Sequence, residues 1–287
     1  MMNVWVIGSQ GLLGSALLDC CLQKGIQAVG TSHGEADICN LEQLRDKVNE
    51  IKPTHIINCA AYTNVDGAEK DSKSAFAVNC EGAANAASVA KEYGARFIHI
   101  STDFVFDGKG DRPYREEDTC APINEYGKSK WEGEKKVLEI MPTACIIRTS
   151  WVFGSRGKNF ICSLLGWFQE REQLQMVSDH KGKPTYSVDL AEAVTRLFNA
   201  EGIVHFANSG EVSRYQIAMD LWEAMKQKGI EIKCQSIQPV PSSQFQAIAE
   251  RPSYSALDTS KYVSMTSFKP RPWLEAASEF LDGTFKV

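Results

Sequence analysis

The stretch "VIGSQGLLG", residues 6–14, decides the fold. An apolar run from Asn3 to Ile7 ends at Gly8, and Gly11 and Gly14 follow at three-residue intervals into a helix-patterned segment. Glycine tolerates the positive φ of a tight turn, lets main-chain N–H groups approach a diphosphate, and lets a helix pack closely on the strand before it. The spacing is GxxGxxG rather than GxGxxG, so its position after the first strand carries as much of the reading as the glycines do. Gly8, Gln10, Gly11, Leu12, Leu13 and Gly14 are therefore candidate cofactor-binding residues; the alternative is a plain strand-to-helix turn.

The same alternation continues outward. Runs rich in β-formers at "GIQAVGT" (25–31), "THIINCAAY" (54–62), "RFIHIST" (96–102) and "ACIIRTSW" (144–151) alternate with helical patterns at 11–24, 41–51, 72–94 and 125–140. Continuously apolar strands are those buried on both faces, and strand-helix-strand units of this length predict an α/β fold with a Rossmann-type doubly wound parallel sheet. After Trp151 the rhythm breaks into helices near 159–171 and 187–199, the polar loop "SDHKGKPT" (178–185), and "GIVHFAN" (202–208), a strand able to rejoin the sheet. Residues 210–287 hold shorter elements and five of the ten prolines. The expected division is an NAD(P)-binding domain of residues 1–153 plus about 186–207, and a smaller C-terminal α/β substrate lobe of about 154–185 and 208–287.

Composition narrows the function classes. At 287 residues, 43% hydrophobic, the chain can bury a substantial core, and a net charge of −5 provides no general attraction to nucleic acid or to an anionic membrane. Nine cysteines without a CxxC pair read as reduced thiols, not as a disulfide framework or metal site. No signal-peptide pattern precedes the first strand, and no apolar run approaches the roughly 20 residues that span a bilayer. A cytoplasmic setting is the expectation, with no nucleic-acid or membrane partner.

The end of the second strand bears on the cofactor. An acidic residue there normally holds the adenosine ribose of NAD, whereas this chain has Gly30, Thr31, Ser32 and His33. NADPH is the expectation, with NADH as the alternative and Thr31 and Ser32 as candidate contacts. Asp37 and Ile38 can take the adenine, the carboxylate accepting from its amino group and the apolar side chain covering the ring; Asn40 suits the cap of the next helix better than Asp37 does. Small residues Cys59, Ala60 and Ala61 leave room across the third strand's end, and Thr63 is divided between a cofactor contact and a local turn.

"HISTDFVFDG" (99–108) closes the fourth strand, and "NEYGKSK" (124–130) sets Tyr126 and Lys130 four residues apart on one helix face. Either piece alone is bland. Together they supply what carbonyl reduction requires: a hydroxyl at Thr102 to hold the substrate oxygen, a phenol to donate a proton, and a cation to depress that phenol's pKa of about 10.

These motifs together resemble the extended branch of the short-chain dehydrogenase/reductase superfamily. "VIGSQGLLG", "NCAAYTNVDGAE", "STDFVFDG", "PINEYGKSKWEGE", "RTSWVFG", "NF", "SDHKGKPT" and "RPSYSAL", in this order from residue 3 to about 275, are similar to the dTDP-4-dehydrorhamnose reductases. The resemblance implies NADPH-dependent reduction of dTDP-4-dehydro-β-L-rhamnose to dTDP-β-L-rhamnose, the last step in making the activated sugar. Carried over, Tyr126 is the general acid at the C4 oxygen, Lys130 lowers its pKa and bonds the nicotinamide ribose, and Thr102 polarises the ketone. Asp103, Phe104 and Trp151 border the sugar, with a buried tryptophan at a domain junction as the alternative for Trp151, and Arg251 pairs with the diphosphate, with a surface ion pair as its alternative. Gly127, beside the tyrosine at a helix start, removes side-chain bulk where the cofactor passes. Arg148, within a strand, reads as structural, and Asn159 and Phe160 as a cap and a core residue, with contact to the substrate as the alternative.

The sequence departs from the pattern in two places. Phe104 stands where many relatives have tyrosine, removing a hydroxyl that could touch the sugar, and Lys183 stands where a small residue is frequent. Sugar-nucleotide dehydratases and epimerases share the scaffold, but a dehydratase follows its threonine with an acid and then a glutamate, where this chain has Asp103 and Phe104. A non-catalytic NADP-binding subunit, like the regulatory subunit of methionine adenosyltransferase, is the rival from another class. Some relatives are homodimers, in certain cases with interface Mg2+ held by glutamates; a homodimer and an interface Mg2+ stay open for this chain, the glutamates are not mapped onto it, and no metal residue is assigned.

Overall fold

A computed structural model describes residues 2–285, so the lobe ends at residues 1 and 286–287 lie outside the described residues. The core is a six-stranded, wholly parallel sheet of β1 (Asn3–Ile7), β2 (Gln27–Thr31), β3 (His55–Asn58), β4 (Arg96–Thr102), β5 (Cys145–Thr149) and β10 (Gly202–His205), in the order β10-β5-β4-β3-β1-β2. Its strand order reverses between β1 and β3, which opens a crevice at the carboxyl ends of those two strands. In β1 successive side chains point to opposite faces. Val4 and Val6 pack with α1 (Leu12–Gln23) and α8 (Ser187–Arg196), and Trp5 and Ile7 with α2 (Leu41–Ile51) and α5 (Ala83–Glu92). The doubly wound α/β expectation holds.

The segment from 72, expected as one helix to 94, is α4 (Ser72–Phe76), a π-helical turn (Ala77–Gly82) and α5, after the short α3 (Val65–Lys70). The wide turn has a local cause. It presents the Asn79 carboxamide to the loop after β3, where it accepts from Tyr62 N at 2.8 Å and donates to Tyr62 O at 3.0 Å, and to Ser129 Oγ at 2.9 Å on α6 (Glu125–Ile140). Gly133 of α6 lies against the Asn79 carbonyl, where a Cβ would collide.

Beyond β5 the chain builds β6 (Val152–Phe153), α7 (Phe160–Glu170), β7 (Gln173–Val177), β8 (Lys181–Gly182) and β9 (Thr185–Tyr186), returns through α8 to β10, and leaves again into β11 (Val212–Ser213), α9 (Arg214–Gln227), β12 (Ser236–Val240), α10 (Ser260–Thr266) and α11 (Trp273–Phe285). A second core joins Leu164, Phe168, Leu174, Ile217, Leu221 and Phe280. Two stretches sit differently from the sequence-based division. Phe153 belongs to this second core, stacked on Tyr186 at 5.2 Å, while Tyr262 of α10 packs edge-on against Phe206 at 4.9 Å beside the central sheet. Arg148 of β5 is structural, as expected: it forms a buried ion pair with Glu134 of α6 at 2.7 Å.

Candidate active site

Two cavities meet the carboxyl ends of the central strands. The first, about 360 Å³, is lined by Gly8, Gln10 and Gly11 of the glycine turn, Ser32, His33, Asp37 and Ile38 after β2, and Cys59, Ala60 and Ala61 after β3. Gly8 takes φ +79°, and a Cβ there would lie 2.7 Å from Ala60 N, so only glycine fits the turn against the third strand. Gly14 lies against the Gly8 carbonyl, which seats α1 directly on the turn. No side chain caps α1 at Gly11, so its first N–H groups and the positive end of its dipole face this cavity, as a bound diphosphate requires.

Several candidates lie elsewhere than the sequence reading put them. Thr31 is 4% exposed and its Oγ1 accepts from Trp5 Nε1 at 3.0 Å; as the last residue of β2 it faces the core, not the cavity. The Leu13 side chain joins the core and Leu12 borders the second cavity, so within this turn they offer main chain rather than side chain to the first. Thr63 lines the second cavity as well. Asn40, not Asp37, caps α2 by accepting from Gln43 N at 3.2 Å. Glu35 was not anticipated. Its carboxylate accepts from Ser32 N at 2.8 Å and Ser32 Oγ at 2.7 Å, and these bonds hold its pKa below the ordinary range.

The second cavity, about 340 Å³, gathers Thr63, Thr102, Asp103, Phe104, Tyr126, Trp151, Pro184 and Arg214. Asn124 caps α6, accepting from Gly127 N at 2.7 Å, and so fixes Tyr126 in the helix's first turn. A Cβ on Gly127 would fall on the Phe104 carbonyl oxygen; that glycine makes room for the main chain after β4 rather than for a cofactor. The Phe104 ring meets the Tyr126 ring edge-on at 5.7 Å. Burial pushes the Tyr126 phenol up to about 12, with the Thr102 hydroxyl working against this and Asp103 adding to it. Burial likewise pushes Asp103 up to about 7. Thr102 Oγ1 donates to Asp103 Oδ1 at 3.1 Å, whereas Asp103 Oδ2, Ser101 Oγ and Thr149 Oγ1 have no hydrogen-bond partner among the described residues. Unsatisfied polar atoms in a cavity wall fit a polar ligand.

Lys130 is buried behind Tyr126. Its amine donates to Ile100 O at 2.7 Å and stands 3.3 Å from His99 Nε2, and burial brings its pKa down to about 8. The expected direct effect of Lys130 on the phenol is absent from this arrangement, since the amine turns toward β4.

Trp151 has φ +47°, a left-handed backbone rare for an aromatic residue. Its ring lies on Gly182, where a Cβ would come within 2.6 Å of Cε2. Arg214, at the start of α9, places its guanidinium 5.1 Å from the Trp151 ring and 4.5 Å from that of Phe160. Neither an ion pair nor a hydrogen bond engages it among the described residues, and it lines both this cavity and an adjoining one of about 540 Å³ bordered by Phe160, Trp167, Gln175, Gln238 and Phe245. Arg251, the expected phosphate partner, lies in neither; it pairs with Asp66 at 2.9 Å and donates to Ala249 O. Lys183 donates to Leu257 O at 2.8 Å, and Asn159 caps α7 while also bordering the second cavity. Among the described residues, no group of three or more His, Cys, Asp or Glu side chains could hold a metal ion, and no helix is long and apolar enough to cross a membrane.

Comparison with known proteins agrees with this geometry. Residues 2–285 match the model of the RmlD substrate binding domain family. The chain is 37% identical over 282 residues to the spore coat polysaccharide biosynthesis protein SpsK of Bacillus subtilis, covering 98% of this chain and 97% of that one. It is 34% identical over 286 residues to dTDP-4-dehydrorhamnose reductase of Aggregatibacter actinomycetemcomitans, covering 96% and 97%. The crystal structure of dTDP-4-dehydrorhamnose reductase from Bacillus anthracis in complex with NADP superposes with a TM-score of 0.92 at 34% identity, covering 99% of this chain and all of that one. With a match over nearly its whole length and these relatives on the same fold, the chain belongs to the RmlD substrate binding domain family.

Proposed function

We propose that the protein is a dTDP-4-dehydrorhamnose reductase, reducing the 4-keto group of dTDP-4-dehydro-β-L-rhamnose to give dTDP-β-L-rhamnose. The observation that carries this reading is the placement of Tyr126 and Thr102 in a cavity with unsatisfied polar walls, close to the glycine turn, in a member of this family.

The glycine turn, the uncapped start of α1 and the small residues 59–61 fit a nicotinamide dinucleotide, which when bound supplies the hydride. Thr102 holds the ketone oxygen, and Tyr126 gives its proton to that oxygen as negative charge develops there. A phenol held near 12 keeps its proton at neutral pH, so the donor is loaded before substrate arrives. Trp151 packs on the sugar. Arg214, which makes no ion pair among the described residues, takes the diphosphate in place of Arg251, and the adjoining 540 Å³ cavity takes the nucleoside.

NADPH is the cofactor in this reading. Ser32 offers an N–H and a hydroxyl to a single anion, currently the Glu35 carboxylate, and a 2′-phosphate needs the same two donors.

Purified protein should oxidise NADPH when dTDP-4-dehydrorhamnose is added, and Tyr126→Phe should lose roughly 10²- to 10⁴-fold in kcat while retaining its fold and cofactor affinity. Tight cofactor binding without substrate-dependent oxidation would favour a non-catalytic binding subunit instead.

A further inference from the structure

A line of buried hydrogen bonds runs from the end of β3 to the amine of Lys130. Ala60 donates its N–H to Asn58 Oδ1 at 3.0 Å, which fixes the orientation of the Asn58 carboxamide. Its Nδ2 is thereby turned to His99 Nδ1, 3.0 Å away, and donates to it. A neutral imidazole that accepts at Nδ1 carries its proton on Nε2. That nitrogen stands 3.3 Å from Lys130 Nζ, which also donates to Ile100 O. Asn58, His99 and Lys130 are 1%, 0% and 2% exposed, so bulk water does not replace any of these partners. An ammonium at this position sets two donors face to face, whereas a neutral amine accepts the Nε2–H with its lone pair.

We propose that His99 is a positioning residue for Lys130: with its proton direction fixed through Asn58 by Ala60, it presents a donor to the amine and favours the neutral form in the free enzyme. Binding of cofactor then has to draw Lys130 out of this contact as a cation. The other groups facing the amine are the Cys59 thiol after β3 and Glu134 one turn along α6. The Glu134 carboxylate is itself held by Arg148 of β5, so its pull on the amine is shared. Burial acts in the same direction as His99, against the ammonium.

This inference rests on the reading, implied by the family resemblance, that Lys130 bonds the nicotinamide ribose, and its primary test is independent of turnover. In full-length protein labelled with ¹³C-lysine, the Cε resonance of Lys130, assigned by its loss in Lys130→Arg, is followed against pH without cofactor. Wild type should be half-titrated near pH 8. Asn58→Asp, nearly isosteric, accepts from both Ala60 N–H and His99 Nδ1–H; it moves the imidazole proton to Nδ1 and turns the Nε2 lone pair toward Lys130. The midpoint should rise by about one pH unit or more. In a His99→Gln background the same Asn58→Asp change should lose most of that rise, because the added charge no longer acts through an imidazole. A wild-type midpoint near that of an ordinary lysine, or an equal rise in both backgrounds, would overturn the proposal. In the turnover assay the alkaline limb of kcat/KM should move with the NMR midpoint while KM for the sugar nucleotide stays constant. Failure of turnover alone would count against the reductase reading and leave the NMR result standing.

Discussion

Arg251 and Asp66 form an ion pair at 2.9 Å between the C-terminal segment and α3, and Arg251 does not line the cavity that holds Tyr126 and Trp151. Arg214 shares its cavity with Asp103 but makes no ion pair or hydrogen bond among the described residues, and so remains for an anion. Arg214→Gln should therefore raise KM for the sugar nucleotide about 10- to 100-fold, the range of a lost charge-assisted hydrogen bond, with cofactor affinity unchanged. Arg251→Gln should instead lower the melting temperature and leave that KM within about threefold. Steady-state kinetics and thermal melts on the two variants separate the roles, and the reverse pattern would return the phosphate to Arg251.

The Glu35 carboxylate occupies donors that a 2′-phosphate would use. Glu35→Gln removes the competing charge, so NADPH should bind several-fold more tightly while NADH changes little. Fluorescence titration of each cofactor checks this, and equal gains for both would show that Glu35 acts on the loop and not on the phosphate.

Asp103 makes stability depend on pH. Its folded pKa, about 7, lies above the unfolded value near 3.9. Its contribution is fully present below the unfolded pKa and is lost as pH rises through the folded one, so the fall occupies the interval from about pH 4 to pH 7. Asp103→Asn should flatten this slope: in urea denaturation the variant should gain on wild type between about pH 4 and pH 7. Parallel curves would place the charge elsewhere.

Gly127 meets the Phe104 carbonyl where a side chain would stand. Gly127→Ala must push α6 away from the loop after β4, at a cost of about 1–3 kcal/mol. Because Tyr126 is the next residue, kcat should fall along with the melting temperature; a variant that melts early but turns over normally would show that the shift spares the phenol.

The sheet was legible because its strands are mostly apolar and the helices between them keep their period. The break at Ala77–Gly82 was not, since a π-helical turn is made by what Asn79 bonds to, and neither Tyr62 nor Ser129 marks itself as its partner in one dimension. The glycine turn could be read in advance because glycine is demanded by its own backbone. Thr31 was misjudged for a related reason: strand alternation points it at Trp5, and the hydroxyl is used up there. The motif reading singled out Arg251 and passed over Arg214. What separates them is a partner 185 residues from Arg251, brought close only by folding. His99 did leave a trace, a polar residue inside an apolar strand, though its role depends on Asn58 and Lys130 arriving on either side.

The course of the chain after β5 bears on how such a protein can be altered. It leaves the central sheet at Thr149, builds part of the second core, returns to add β10 as the sixth strand, and leaves again for α9 and α11. The second core is thus not a cassette hung on one end. A graft of another relative's sugar preference would need joints near 150, 187 and 208, each beside the edge strand that closes the sheet. Specificity in this architecture is more readily changed one side chain at a time than by exchange of segments.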